Sequence, residues 1–376
     1  MKKKFPEYYK PTEKEFEYLW ENCIFIFDTS VLINMYEFSP KTRDIFLGML
    51  KKISDRVWIP HQVAKEYLSR RPFIIREQKE IHHKIQEKFR ETKDNLIQEI
   101  EKTVIFHPYI DKNELNEKIK KYFRILNSYL KKCEENYPDL VKKDSIGEKI
   151  DLLFTGKVGD ECTIEELKQL YKEGAERYSQ KIPPGFADQQ TKDNIKQYGD
   201  FLIWHQIIQY AKIKNKPVIF VIDDVKNDWW LIHNYQKLNK EILSPRPELI
   251  KEFFLKTNNP FFMYNSENFM ESYRKYLKED VSNETIKEVR DLRTKQSLSE
   301  KLSVDPKIIE NWRNLQLSTR IDQETFEKFK KLQNSLRLDP EIIENWRNLQ
   351  LSTRIDQETF EKFKKLQDSL NEKDST

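Results

Sequence analysis

The chain has 376 residues, 35% of them charged and 38% hydrophobic, which is enough for two domains and a sizeable core. Lys and Arg exceed Asp and Glu by only four, 67 against 63. Net charge therefore does not mark a nucleic-acid binder, and such a role needs a local basic surface.

Other classes fall away on composition. No run approaches the roughly 20 apolar residues of a membrane span. Seven glycines argue for long helices, and no Gly-Lys-Ser/Thr phosphate loop occurs, which argues against an ATPase. Cys23, Cys133 and Cys162 form no CxxC pair, and their odd number suits a reducing compartment. Cys23 lies in an apolar run and reads as a small buried hydrophobe. The basic start Met1–Lys4 is followed by a polar stretch, so it does not read as a secretory signal. The expectation is a soluble, cytoplasmic protein without a membrane partner.

In chain order, Thr12 and Glu15 form a capping box for a first short helix. The run Cys23–Phe27 reads as a strand closed by Asp28. Ser39-Pro40 opens a helix with Ile45, Phe46, Met49, Leu50 and Ile53 on one face. A second strand, Arg56–Ile59, ends at Pro60, and His61–Leu68 reads as a helix carrying Glu66 at the edge of its inward face. From about Phe73 to Tyr137 apolar residues recur at helical spacing, which predicts an antiparallel hairpin broken near His107-Pro108. Its charges read mainly as a solvated face.

Residues 138–199 are less regular, with a helix at Ile164–Tyr178 and the turn Ile182-Pro183-Pro184-Gly185. Asp200 opens a helix to Ile213, followed by a strand, Val218–Ile222, that ends in Asp223-Asp224. A helix at Glu248–Leu255, an edge strand at Phe261–Tyr264 and a helix at Ser266–Leu277 complete the pattern. Strands alternating with helices imply an α/β fold, a parallel sheet covered on both faces.

The tail contains a duplication. Residues 302–335 and 336–369 are nearly identical at a period of 34 residues, and each copy reads as a helical repeat opened by Asp-Pro. Such units bury aromatics against neighbours, so a protein partner or self-association is expected there. Residues 281–301 read as a linker.

Four acids at the ends of apolar segments carry the chemistry: Asp28, Glu66, Asp200 and Asp224. In open α/β sheets ligand sites form outside the carboxyl ends of the strands. Carboxylates gathered there repel one another unless a cation is present, and Mg²⁺ or Mn²⁺ held this way suits phosphodiester cleavage. Singly, each acid has a bland reading. Asp28 and Asp200 can be helix N-caps, Glu66 a surface ion-pair partner, and Asp223-Asp224 a turn. His61, His205 and His233 have no zinc spacing. Trp204, Trp229 and Trp230 read as core rather than as base-stacking platforms. A haloacid-dehalogenase-type phosphohydrolase also opens with strand-Asp, but it needs a second acid where Ser30 stands.

The segments FIFDTSVLINMYE, VWIPHQVAKEYL, ERYSQKIPPGFADQQ, YGDFLIWHQIIQYA, PVIFVIDDVKNDWW and PRPELIKEF together resemble a bacterial PIN-like domain, over about residues 20–275. They resemble the branch with a long helical insertion, here about 73–195. The resemblance implies a three-layer α/β/α domain over 1–280 and a metal-dependent nuclease, most often an endoribonuclease. It implies Asp28, Glu66, Asp200 and Asp224 as catalytic metal ligands, with Asp223 and Asp228 as outer or alternative ones. The usual Thr/Ser at the end of the fourth motif strand is Ile222 here, which removes a hydrogen bond to the site rather than a ligand. Thr29, Ser30 and Asn34 are expected to contact a scissile phosphate or orient its surroundings. Arg177 and Asp188 match positions of the same branch; Arg177 reads as a phosphate clamp or an acid's partner, and Arg246 as a phosphate contact or a helix cap. Such a site acts on RNA, or alternatively DNA, within a toxin or antiviral setting. The competing expectation is a non-catalytic nucleic-acid-binding or partner-recruiting module.

Overall fold

Four short strands, β1 (Ile24–Phe27), β2 (Val57–Trp58), β3 (Val218–Val221) and β6 (Phe261–Tyr264), form one parallel sheet in the order β2-β1-β3-β6. β1 and β3 are buried at every residue, which is why they read as continuous apolar runs rather than as alternations. The register pairs Phe27 with Val221 and Val221 with Tyr264, so the three strands end level. The computed structural model describes residues 1–302, apart from residues 3, 191–193 and 236–238. Apart from Leu302, the duplicated segments lie outside the described residues.

Alternation along the strands splits the aromatics between two layers. On one face Phe25 and Phe27 meet Trp20 of α1 (Glu13–Asn22), Phe46 of α3 (Pro40–Lys52) and Phe269 of α10 (Ser266–Leu277). On the other, Phe220 meets Trp229, and Phe261 meets Trp204 of α8 (Gly199–Lys214) and Phe253 of α9 (Pro247–Thr257). Trp58 stacks on Tyr210 of α8, centroids 3.9 Å apart. The result is the expected three-layer α/β/α arrangement. Trp204 and Trp229 are fully buried and Trp230 nearly so, as expected of core residues.

The insertion is more regular than the sequence suggests. A single helix, α4 (His61–Thr103), runs through Pro72 and joins the two stretches read separately, His61–Leu68 and the hairpin from about Phe73. A proline removes one N–H and crowds the preceding turn. Here both sides of Pro72 are anchored. Ile74 and Ile75 are buried, and Arg71 pairs with Asp144 at 2.5 Å and Asp151 at 3.0 Å. Asp144 also accepts from Tyr36 Oη–H at 2.8 Å and caps α6 (Ser145–Phe154). α5 (Lys112–Asn136) returns along α4, burying Asn116, Phe123 and Leu130 at seven-residue steps, and Phe123 meets Phe89 edge-on. α7 (Ile164–Ser179) then leads back towards the sheet through two 3₁₀ turns.

Other differences are local. The second strand shrinks to two residues because Ser54–Arg56 forms a 3₁₀ turn and Ile59 bridges to Val158. An unforeseen pair, β4 (Trp230–Tyr235) and β5 (Asn239–Pro245), forms a separate two-stranded sheet. Most of the stretch read as a linker, 281–301, falls in the helix α11 (Asn283–Leu302). Val281, Ile286 and Val289 join the main core, so burial rather than local propensity accounts for that helix. All three cysteines are free, and Cys23 is buried in the core. No described helix is long and apolar enough to cross a membrane.

The chain divides into two units, 1–232 with 242–300, and 233–241 with 301–376. The four-stranded sheet and the candidate site lie in the first.

Candidate functional site

β1 is central, and its two neighbours lie on opposite sides. The chain goes from β1 to β2 on one side, then crosses to β3 on the other. The crevice beyond the ends of β1 and β3 is therefore the switch point at which open α/β sheets bind ligands. Asp28 leaves β1 there as the N-cap of α2 (Thr29–Asn34), and Asp223-Asp224 leave β3. Asp28 N–H donates to Val221 O at 2.9 Å, which ties the two exits together.

Asp28 is buried, and one of its oxygens accepts from both Ser30 N–H (2.8 Å) and Ser30 Oγ–H (2.6 Å). Burial pushes its carboxyl up to about 6. The Ser30 bonds oppose that rise, and the charges of Asp200 and Asp224 add to it. These acids therefore feel one another. Asp200 lies in the first turn of α8. Glu66 lies on α4, accepts from Gln62 Nε2 at 2.7 Å and sits 3.5 Å from Thr29 Oγ1. A Cβ added to Gly199 would come within 2.7 Å of Glu66 Oε1, so the missing side chain lets α8 approach Glu66.

The centre of the cluster is a lysine. Lys226 Nζ stands 2.9 Å from Asp224, 3.0 Å from Asp188 and 3.2 Å from Asp200. Burial alone would favour the neutral amine, but the charges of Asp200, Asp224 and Asp188 outweigh it and raise the ammonium above its ordinary pKa. Three carboxylates from three separate segments thus share one cation.

A family profile described as a PIN-like domain matches residues 24–249. The chain belongs to the PIN-like domain family. No curated protein and no solved structure matches it.

Within this PIN-like domain the sequence-predicted residues separate into two groups. Asp28, Asp200 and Asp224 lie close enough at the switch point for their charges to interact, and Glu66 lies beside Thr29 and Gly199. Several others are engaged elsewhere. Asp223 accepts from Ser266 N–H (2.8 Å), Ser266 Oγ–H (2.7 Å) and Asn34 Nδ2 (2.8 Å), so its oxygens fasten α10 and α2 instead of facing a shared cation. Asn34 is drawn into that structural role with it. Asp228 is fully buried and accepts from Gly185 N–H (2.8 Å) and Ala187 N–H (3.1 Å). Burial, then the Asp200 charge, raise its carboxyl.

Arg177 does not reach a phosphate position. Its guanidinium grips Glu252 at 2.7 and 2.8 Å and donates to Pro183 O. This is the acid-partner reading. Arg246 pairs with Glu248 at 2.6 Å and donates to Asn227 O at 2.9 Å. Ser30 bridges the exits, since its Oγ also accepts from Asp223 N–H at 3.1 Å. Thr29 Oγ–H is within 3.3 Å of Val63 O.

Lys226 was not foreseen. In Asp223-Asp224-Val225-Lys226-Asn227-Asp228 it reads as one more surface charge. The available signal was a lone cation within a run of acids directly after a core strand. Trp230 Nε1–H donates to Asp224 O at 3.0 Å, which fixes the backbone of that segment.

Proposed function

We propose that this PIN-like domain is a metal-dependent nuclease, an endoribonuclease that hydrolyses RNA phosphodiester bonds. The observation that carries the reading is the convergence of Asp188, Asp200 and Asp224 on one ammonium, with Asp28 close enough to be perturbed by two of them. The donor set fits a hard divalent cation, because it offers only carboxylate oxygens. Among the described residues no three His, Cys, Asp or Glu side chains form a metal cage as they stand. Lys226 holds the position where positive charge is required.

Asp28, Asp200 and Asp224 would hold Mg²⁺ or Mn²⁺, with Glu66 at the rim. A divalent ion bound there would supply Lewis acidity and positive charge for phosphodiester hydrolysis. Ser30 keeps the Asp28 carboxylate aimed, and Gln62 does the same for Glu66. For these carboxylates to hold a divalent ion, the Lys226 ammonium would have to withdraw from them. Its side chain is 22% exposed, which leaves it a path to solvent. The withdrawn ammonium is then a cation beside the substrate's phosphates.

The test is incubation of the full chain with end-labelled single-stranded RNA and DNA, in Mn²⁺ and in EDTA. Cleavage of RNA in Mn²⁺ alone, leaving 5′-phosphate and 3′-hydroxyl ends, is expected. The proposal fails if neither nucleic acid is cut in Mn²⁺ or Mg²⁺. One observation favours a second reading, a non-catalytic nucleic-acid-binding module: Lys226 already neutralises the acids without a metal. Retained RNA binding without cleavage would support that module instead.

Lys226→Met separates the two readings thermodynamically. Without the ammonium the carboxylates repel, so melting in EDTA should fall by several degrees. Added Mn²⁺ should then stabilise the variant more than the wild-type chain, because no internal cation competes. An equal or smaller Mn²⁺ response in the variant would mean that Lys226 and the metal do not share a position.

A further inference from the structure

The insertion hairpin carries a surface that the carboxylate site does not explain. From Lys118 to Lys132, α5 contains six cations and no carboxylate. Three large side chains on this stretch are exposed although the helix is packed: Tyr122 (60%), Ile125 (59%) and Tyr129 (66%). Lys118, Tyr122, Ile125, Tyr129 and Lys132 follow one another at steps of four and three, so they form a single row along the helix. Lys118 pairs with Glu114 at 2.9 Å. Lys121 and Lys132 are exposed, and neither enters an ion pair among the described residues.

We infer that this row binds single-stranded nucleic acid, with Tyr122 and Tyr129 stacking on bases and Lys121 and Lys132 contacting phosphates. The partner class rests on the nuclease reading, and the hairpin would hold the strand outside the cleavage site. Lysines interleaved with exposed rings, without carboxylates, are what a sequence-tolerant single-strand platform needs. Charge complementarity selects a polyanion. An amphipathic helix lying on a lipid surface would use its wide apolar face, and that face of α5 is spent against α4, with Phe123 and Leu130 buried. A coiled-coil partner needs a seam sustained over several heptads, whereas this one is closed by lysine after two.

The experiment uses the full chain in EDTA, so that cleavage plays no part, with a fluorescein-labelled single-stranded RNA of about 20 nucleotides read by anisotropy. Wild type binds. Tyr122→Ala with Tyr129→Ala weakens binding by about tenfold or more, whereas the paired Phe substitutions retain it because the rings remain. Lys121→Gln with Lys132→Gln weakens binding and reduces the slope of log affinity against log salt by about 1.4, the share of two phosphate contacts on a single strand. Unchanged RNA affinity in the Ala and Gln variants overturns the inference. So does binding to vesicles containing phosphatidylglycerol but not to RNA. Turnover of bis(p-nitrophenyl) phosphate in Mn²⁺ reads the carboxylate site separately and stays unchanged in the row variants. If wild type lacks that turnover yet binds RNA through the row, the nuclease reading falls and the binding surface stands.

Discussion

Asp28→Asn is expected to abolish Mn²⁺-dependent cleavage while leaving the fold intact. Asn keeps an acceptor oxygen for Ser30 N–H and Oγ–H, which now hold the carboxylate at 2.8 and 2.6 Å. It cannot offer a charged oxygen to a cation. The loss should exceed the ~10–100-fold typical of removing an outer partner of a metal ligand, and Asp200→Asn should match it. Stability moves the other way. In the folded chain Asp28 titrates near 6, above its ordinary 3.8. Keeping it ionised therefore opposes folding above pH 6, and that opposition disappears as pH falls towards 3.8. Asp28→Asn should raise the stability of the metal-free chain at pH 7.5 by about 3 kcal/mol, and should change it little at pH 4. Denaturant melts in EDTA at both pH values, beside the RNA assay, check the pair. Wild-type cleavage rates in both variants would remove these acids from the reaction.

The second large effect concerns structure. Arg177 and Glu252 are mostly buried, with side chains 9% and 18% exposed. Trp204 Nε1–H also donates to Glu252, at 2.9 Å, and Lys256 pairs with it at 2.9 Å. Burial would raise the Glu252 carboxyl, but the bond and charge of Arg177, with Lys256 and Trp204, override it and bring the pKa down to about 2. A depressed carboxylate stabilises the fold above its ordinary pKa of 4.5, and that contribution is lost as pH falls towards 2. It amounts to about 3 kcal/mol. Arg177→Ala should cost about 3–5 kcal/mol at neutral pH, since it strands a buried charge, and should shift acid unfolding to higher pH. Glu252→Gln should flatten the stability profile between pH 4.5 and 2. An Arg177→Ala chain as stable as wild type would show that the pair is not a structural anchor.

Much of this was legible from the residues. Apolar runs ending in acids gave β1 and β3, because strands buried on both faces admit nothing polar until they end. Asp28 stood out for the same reason, and Asp200 because it opens the apolar helix α8. What stayed hidden depended on partners remote in sequence. Asp223 and Asp224 look equivalent as neighbours, yet successive residues leave a strand in different directions. One reaches Ser266 and the other Lys226. Asp188 sits in an irregular stretch after Gly185, where periodicity says nothing, and its ion pair with Lys226 brings it into the cluster. Arg177 could not be assigned to phosphate or acid until α9 placed Glu252 against it. His61–Leu68 and the stretch from Phe73 read as separate helices, but Pro72 between them is spanned because the residues on both sides of it are anchored.

The unbroken length of α4 couples what happens far out on the hairpin to the edge of the cleft. Glu66 stands in its second turn, and Thr103 ends it 37 residues later. At 1.5 Å per residue that is a rod of about 55 Å, so a rotation of one degree about Glu66 swings the far end by about 1 Å. Conversely, a strand gripped along the outer arm restrains the rod's orientation, and with it the carboxylate at its base. Pro72 is the proline inside that helix and has no N–H to donate, so bending there is the motion by which arm and base can part company.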